Sequence, residues 1–260
     1  MQTVMYTDTI FGPIHSRRLG SSLGVNLSPR DGKICSFDCL YCEAGFNAQG
    51  PGTTGLPARA EVARLLEEKL RSLSEAGAPV DNITFSGNGE PTLHPDFAGV
   101  IDDTLRLRDK YYPAARVSVL SNATMLHRPE VVEALRRVDN PILKLDSAVD
   151  RTAHLLDRPT SPAYSTAGIT RRLAAFGPKA IVQTMITRGS HDGVEIDNST
   201  DAEVEALIKA YKAIMPGSIM LYSIDRPTPE VSLCKVSRQE LDAIAARITA
   251  VTGIAVSVAG

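Results

Sequence analysis

The sequence predicts an α/β protein built on a parallel sheet, as an open three-quarter barrel or a doubly wound sheet. Three observations support this. Short runs rich in Val, Ile and Leu alternate with longer segments of helical periodicity. The runs are continuously apolar, as strands covered on both faces are. Six such βα units are present, fewer than the eight that close a full parallel barrel. No repeat, low-complexity tract or obvious linker interrupts the 260 residues. One domain is therefore expected over 1–260, with 1–22 as an N-terminal extension, 23–225 as the βα core, and 226–260 as a C-terminal helix and possible edge strand.

The strands are expected at 23–28, 82–87, 116–122, 141–147, 180–187 and 218–224. The helix over 57–77 starts at Pro57, places Val62, Leu65, Leu66, Leu70 and Leu73 near a 3.6-residue period, and stops at Gly77. Further helices are expected at about 95–110, 129–139, 162–176, 200–215 and 237–252. The last two open behind Ser199 or Thr200 and behind Ser237, which are suitable N-caps. The run "AVSV" near the C-terminus fits an edge strand. In either architecture the functional loops leave the C-terminal ends of the strands.

Composition narrows the function classes. Lys and Arg total 28 against 30 Asp and Glu, giving a net charge of −2, and the basic residues are spread along the chain. Nothing here forms a phosphate-binding footprint. No apolar run is long enough to span a membrane and no basic start precedes an apolar stretch, so a cytoplasmic protein is expected.

The chain has four cysteines, and three of them, Cys35, Cys39 and Cys42, fall within "KICSFDCLYC". This grouping, with Cys234 far away, makes a poor disulfide framework and suits metal or redox chemistry in a reducing compartment. Spacings of four and three let one loop wrap an inorganic cluster, each thiolate reaching a different iron and one iron left without a protein ligand. The competing structural zinc would take its fourth ligand from His15 or His94.

CxxxCxxC in the first βα loop, with Tyr41 before the last cysteine, resembles the signature of the radical S-adenosylmethionine (SAM) superfamily. The resemblance implies a partial (β/α)6 barrel of the TIM-like, radical SAM type. It also implies a [4Fe-4S] cluster on Cys35, Cys39 and Cys42, with S-adenosylmethionine chelating the fourth iron. In that superfamily an electron from the reduced cluster splits the sulfonium, and the resulting 5′-deoxyadenosyl radical abstracts a substrate hydrogen. By the same resemblance Tyr41 lies near the adenine.

"SGNGEP" after the second strand is similar to the superfamily's GGEP motif, so Gly87, Asn88, Gly89 and Glu90 are expected to receive the methionyl ammonium. Asn88 stands where that motif has its first glycine, and Asn tolerates left-handed geometry. Ser121 and Asn122 after strand three resemble the pair that contacts the cofactor's ribose or carboxylate, although a loop-capping role explains them too. Lys144 and Asp146 in "KLDS" are two apart, hence on one strand face, where they line the substrate space or pair with each other. Asp225 and Arg226 after strand six suit a ligand carboxylate or phosphate, or an interloop salt bridge. His15, Arg17 and Arg18 are candidates to close over the site, and a surface arm explains them equally. Cys234 is either a substrate-facing thiol or an incidental one.

Within the superfamily the first 150 residues look most like the tRNA wyosine-base synthases and their single-cluster bacterial relatives. Those synthases carry upstream cysteines for a second cluster, and this chain has no cysteine before Cys35. A short, single-cluster chain also suits a glycyl-radical-enzyme activase. Substrates of three kinds therefore stay open: tRNA, a small molecule, or a glycine of a partner protein. A one-electron donor such as flavodoxin or ferredoxin is expected as a partner.

Overall fold

The computed structural model describes residues 4–16 and 20–259. Arg17 and Arg18 lie outside the described residues. The chain runs β1 (Ile10–Ser16), β2 (Gly20–Val25), α1 (Arg59–Glu75), β3 (Asn82–Phe85), α2 (Phe97–Tyr111), β4 (Arg116–Ser121), α3 (Pro129–Arg137), β5 (Asn140–Lys144), α4 (Asp150–Leu156) and α5 (Thr166–Phe176). It continues through β6 (Ile181–Met185), β7 (Thr187–His191), β8 (Val194–Asp197), α6 (Asp201–Ile214), β9 (Ser218–Tyr222), β10 (Cys234–Lys235), α7 (Arg238–Thr252) and β11 (Val256–Ala259).

Eight strands form the main sheet in the order β1-β2-β3-β4-β5-β6-β9-β11. From β2 onward every pairing is parallel and the order follows the chain, with no reversal. A doubly wound sheet reverses its order at a switch point, so the sequential order selects the barrel. Among the described residues the two outer strands, β1 and β11, do not pair with each other, and the barrel stays open. Its six inner βα strands, β2, β3, β4, β5, β6 and β9, match the predicted six, and the expected C-terminal edge strand is β11.

Strand faces follow the period of two. Val117 and Val119 on β4 and Leu221 on β9 are fully buried in the main core together with Leu66 and Leu70 of α1 and Leu135 of α3. Burying each such side chain contributes about 1.5–3 kcal/mol. The predicted N-caps hold: Thr200 Oγ1 accepts from Glu203 N at 3.4 Å. Ser237 and Glu240 form a reciprocal capping box at the start of α7.

Four expectations are corrected. Strand one ends at Val25 rather than Ser28, because the chain turns where Asn26 bonds back to the loops around it. Residues 11–16, placed in an N-terminal extension and left open between closing over the site and a surface arm, belong to β1, which pairs antiparallel with β2 and covers the edge of the sheet. The run at 180–187 is two strands, β6 and the start of β7, which joins β8 and β10 in a separate three-stranded sheet. The short helix α4 was not anticipated, since seven residues carry too little periodicity to declare themselves.

Candidate radical SAM site

The loop between β2 and α1 carries Cys35, Cys39 and Cys42 and is shaped by bonds of its own. Cys42 N–H donates to the Cys39 carbonyl at 3.1 Å, and Gly45 N–H to that of Cys42 at 2.8 Å. The buried Lys33 ammonium donates to the Gly45 carbonyl at 2.6 Å. The loop then docks on α4 and the segment after it. Leu40 N–H donates to Leu156 O at 3.0 Å and Asp38 N–H to Asp157 O at 3.0 Å, while Phe37, Leu40 and Leu156 pack with Met185, Ile196 and Leu233 in a second apolar cluster. The unanticipated helix and small sheet are thus what the cysteine loop rests on.

All three thiols are free and line one cavity of about 310 Å³ at the C-terminal ends of the strands, together with Tyr41, Glu90, Asn122 and Lys144. Burial, then the nearby Glu90 charge, pushes the Cys35 thiol up to about 12. Burial and Asp157 likewise raise Cys39. Neutral thiols are the consequence of packing alone, and a bound metal reverses this by holding thiolates. The donor set fits an iron-sulfur cluster: three thiols outside any disulfide line one cavity wall. It fits a single ion poorly. Among the described residues no three His, Cys, Asp or Glu side chains gather closely enough to hold one metal ion. His94, offered as a zinc ligand, has both ring nitrogens engaged, Nε2 with Pro57 O at 2.8 Å and Nδ1 with Asp96 N at 3.2 Å. His15 is exposed on the edge strand β1.

The turn after β3 packs directly against the cysteine loop. Gly89 forms a parallel bridge with Ile34, and a Cβ at Gly89 would sit 2.0 Å from the Ile34 carbonyl oxygen. Gly87 adopts φ +153°, and a Cβ there would meet Asn26 Oδ1 at 2.3 Å. Asn88 differs from expectation. It is absent from the described non-glycine residues with positive φ, and its amide binds the backbone of Tyr6 and Pro29 instead of lining the cavity. Glu90 does line the cavity. Its carboxylate accepts from Ser121 Oγ at 2.8 Å, Asn122 N at 2.7 Å, and Thr92 N at 3.1 Å and Oγ1 at 2.5 Å. Burial nevertheless raises its pKa from the ordinary carboxylate range. Asn122 in turn donates to Ser36 Oγ at 2.9 Å and approaches Cys35 Sγ at 3.7 Å.

A family profile described as the radical SAM superfamily matches residues 31–192, more than half of the chain and spanning these loops. The chain belongs to the radical SAM superfamily. A UPF0026 protein of Helicobacter pylori is 29% identical over 235 residues, 89% of this radical SAM chain and 71% of that protein. Among solved structures, a radical SAM methyltransferase from Sphaerobacter thermophilus is similar at a TM-score of 0.64 and 19% identity. This chain spans 65% of that one, and 92% of this chain is covered. TYW1 with a lysine-pyruvate adduct bound is similar at 0.59 and 12% identity, over 90% of this chain and 75% of that one. At such identities the structural likeness shows the fold alone.

The remaining expected residues of this radical SAM chain fall in three places. Tyr41 lines the cavity, and its hydroxyl reaches below the loop to Asp146, to Lys144 and, at 3.2 Å, to Asp157. Asp146 does not line the cavity. It is fully buried, takes Lys144 Nζ at 3.1 Å and accepts Met185 N–H at 2.8 Å, because the chain leaves β5 at Lys144 and the alternation of faces ends there. Burial lowers the affinity of Lys144 for its proton, but Asp146 together with Tyr222, Cys39 and Asp157 outweighs this and the pKa rises. Arg226 binds Glu43 at 2.7 Å and lines a neighbouring inner chamber, so the interloop salt bridge is realised. Asp225 pairs with Lys235 at 3.2 Å. Cys234 is exposed on β10 and is absent from the lining of the cysteine cavity.

Two residues near the site escaped sequence reasoning. Asp157 accepts from Cys39 Sγ at 3.6 Å and from Tyr41, and nothing in "LLDRPT" announces it. Gln183 lines the cavity from β6, and a polar residue inside the apolar run "AIVQTMIT" was the available signal. Among the described residues, no helix is long and apolar enough to cross a membrane.

Proposed function

We propose that this chain is a [4Fe-4S]- and S-adenosylmethionine-dependent enzyme that abstracts a hydrogen atom from its substrate. The observation that carries this is the convergence of three free thiols from one loop on a single cavity that Glu90 also lines. When bound, the cluster supplies one electron to the sulfonium of S-adenosylmethionine, with a protein donor such as flavodoxin or ferredoxin as the source, and so yields a 5′-deoxyadenosyl radical.

The chain's own residues hold and orient. Cys35, Cys39 and Cys42 provide the ligands. Ser86, Gly87, Gly89 and Glu90 form the wall that meets the methionyl amine, with Glu90 anchored by Ser121 and Asn122. Lys144 and Asp146 secure Tyr41, the residue proposed beside the adenine, and so fix the last turn of the cysteine loop. Four cysteines free of disulfides suit a reducing, cytoplasmic setting.

The test is anaerobic reconstitution with iron, sulfide, dithionite and S-adenosylmethionine. A brown, sulfide-containing protein that releases 5′-deoxyadenosine is expected. Cys35→Ala, Cys39→Ala and Cys42→Ala are each expected to lose iron and product together, because each thiolate is a separate ligand. Full 5′-deoxyadenosine release by any of the three variants counts against the assignment, as does a wild-type protein holding one zinc and no sulfide.

A further inference from the structure

Gln183 stands where the cysteine cavity meets an inner chamber of about 190 Å³, and both spaces are lined by Gln183 and by Ser86. Gln183 is only 7% exposed. Among the described residues neither its side-chain amide nor the Ser86 hydroxyl has a hydrogen-bond partner, and neither is sealed away from the cavity. Both groups face the cavities with their hydrogen-bonding capacity uncommitted to the protein, so a ligand entering here can take it up.

The other polar groups nearby are already engaged. Ser22 Oγ and Thr84 Oγ1 bond each other at 2.6 Å, Arg226 binds Glu43 at 2.7 Å, and Lys144 binds Asp146 at 3.1 Å. Leu120, Ile142 and Met220 complete an apolar wall. What the junction offers is therefore one amide, with two donors and one acceptor, and one hydroxyl, while the lining cations Lys144 and Arg226 are already paired.

Resting on the reading of this cavity as a cofactor and substrate site, we propose that Gln183 is a specificity-determining residue. It holds the substrate by a neutral edge in which a hydrogen-bond donor sits beside an acceptor, as in a carboxamide or a nucleobase. A Gln amide pairs with such an edge through two bonds at once. A carboxylate or phosphate entering here loses its hydration and finds no unbalanced cation, which is unfavourable.

The test uses the full chain, free of cluster, with ¹⁵N-labelled glutamine side chains. Gln2, Gln49, Gln183 and Gln239 are the only glutamines, and Gln183→Leu identifies the relevant signals. Nicotinamide, adenosine and nicotinate are the probes. Nicotinamide or adenosine is expected to move the Gln183 amide signals saturably, and the responding probe separates a carboxamide from a base. Nicotinate at the same concentration is expected to leave them in place. Gln183→Glu, similar in shape, is expected to bind the responding probe at least about tenfold more weakly, the loss of roughly one well-made bond.

An equal response to nicotinate overturns the proposal, and so does no response to either neutral probe. S-adenosylmethionine alone moving the same signals and blocking the probe reassigns Gln183 to the cofactor and also overturns it. If the reduced, cluster-loaded chain releases no 5′-deoxyadenosine while a neutral probe still moves Gln183, the catalytic reading falls and the amide-recognition site stands.

Discussion

Asn88 and Tyr6 hold each other by two reciprocal bonds: Tyr6 N–H donates to Asn88 Oδ1 at 2.8 Å, and Asn88 Nδ2 donates to the Tyr6 carbonyl at 2.8 Å. Asn88 also donates to Pro29 O at 2.9 Å. One side chain thus pins the middle of the strap at Tyr6 across the turn after β3, while Val4 N–H to Glu43 O and Asn26 N–H to Thr9 O hold its ends, beside the cavity that Val4 and Tyr6 help line. The Asn that interrupts the glycine-rich motif is a fastener and not a backbone concession.

Asn88→Gly, which restores the superfamily's glycine, is therefore expected to free the middle of the strap. Amide hydrogen exchange at residues 4–9 should rise by about tenfold or more, the loss of two to three bonds worth about 1 kcal/mol each. S-adenosylmethionine binding should persist, because Asn88 does not line the cavity. Unchanged exchange at 4–9 would show that other contacts hold the strap.

Asp146→Ala is expected to destabilise the fold by about 3–5 kcal/mol, since it leaves the Lys144 ammonium without its carboxylate. Lys144→Met combined with Asp146→Leu should recover much of that loss. Urea denaturation of Lys144→Met, Asp146→Leu and the double variant measures the coupling. Strict additivity would sink the view of this pair as one buried unit.

Glu230 binds His191 Nδ1 at 2.6 Å, and hydrogen bonds from His191 and then Ser232 hold its carboxyl below the ordinary carboxylate range. A depressed carboxylate pKa contributes stability above its unfolded value, near 4.3, and that contribution is lost as pH falls through the folded value. Protection of the segment 228–235 against hydrogen exchange, taken relative to the intrinsic rate at each pH, should therefore fall below about pH 4; the segment touches the cysteine loop through Glu230 N–H to Leu40 O at 3.2 Å. Glu230→Gln should flatten that dependence. A pH profile identical in the variant would assign the effect to another group.

Cys234 is exposed on β10, whereas Cys39 is buried and Cys35 and Cys42 are half-buried. Thiol labelling of the native, cluster-free protein should modify Cys234 first. Cys234→Ser should leave 5′-deoxyadenosine release unchanged within error. A dead Cys234→Ser enzyme would promote this thiol to a working role.

The six βα units, the spacing of Cys35, Cys39 and Cys42, and the turn around Glu90 were all legible in the sequence, because each rests on periodicity or spacing along the chain. The caps at Thr200 and Ser237 were legible for the same reason: a cap satisfies backbone groups two or three residues away.

The partners across the molecule were not. That the barrel opens between β1 and β11, that Asn88 holds Tyr6, that Asp146 serves Lys144 beneath the cavity, and that Gln183 keeps an unspent amide all depend on contacts between residues far apart in the chain. By itself the sequence determined where the six βα strands of the barrel lie and which residues carry sulfur, since those are local properties of chain stereochemistry and residue type. Only the tertiary structure decided which polar groups pair off and which still face the cavity, because hydrogen bonding in a buried site is settled by what packing brings within about 3 Å.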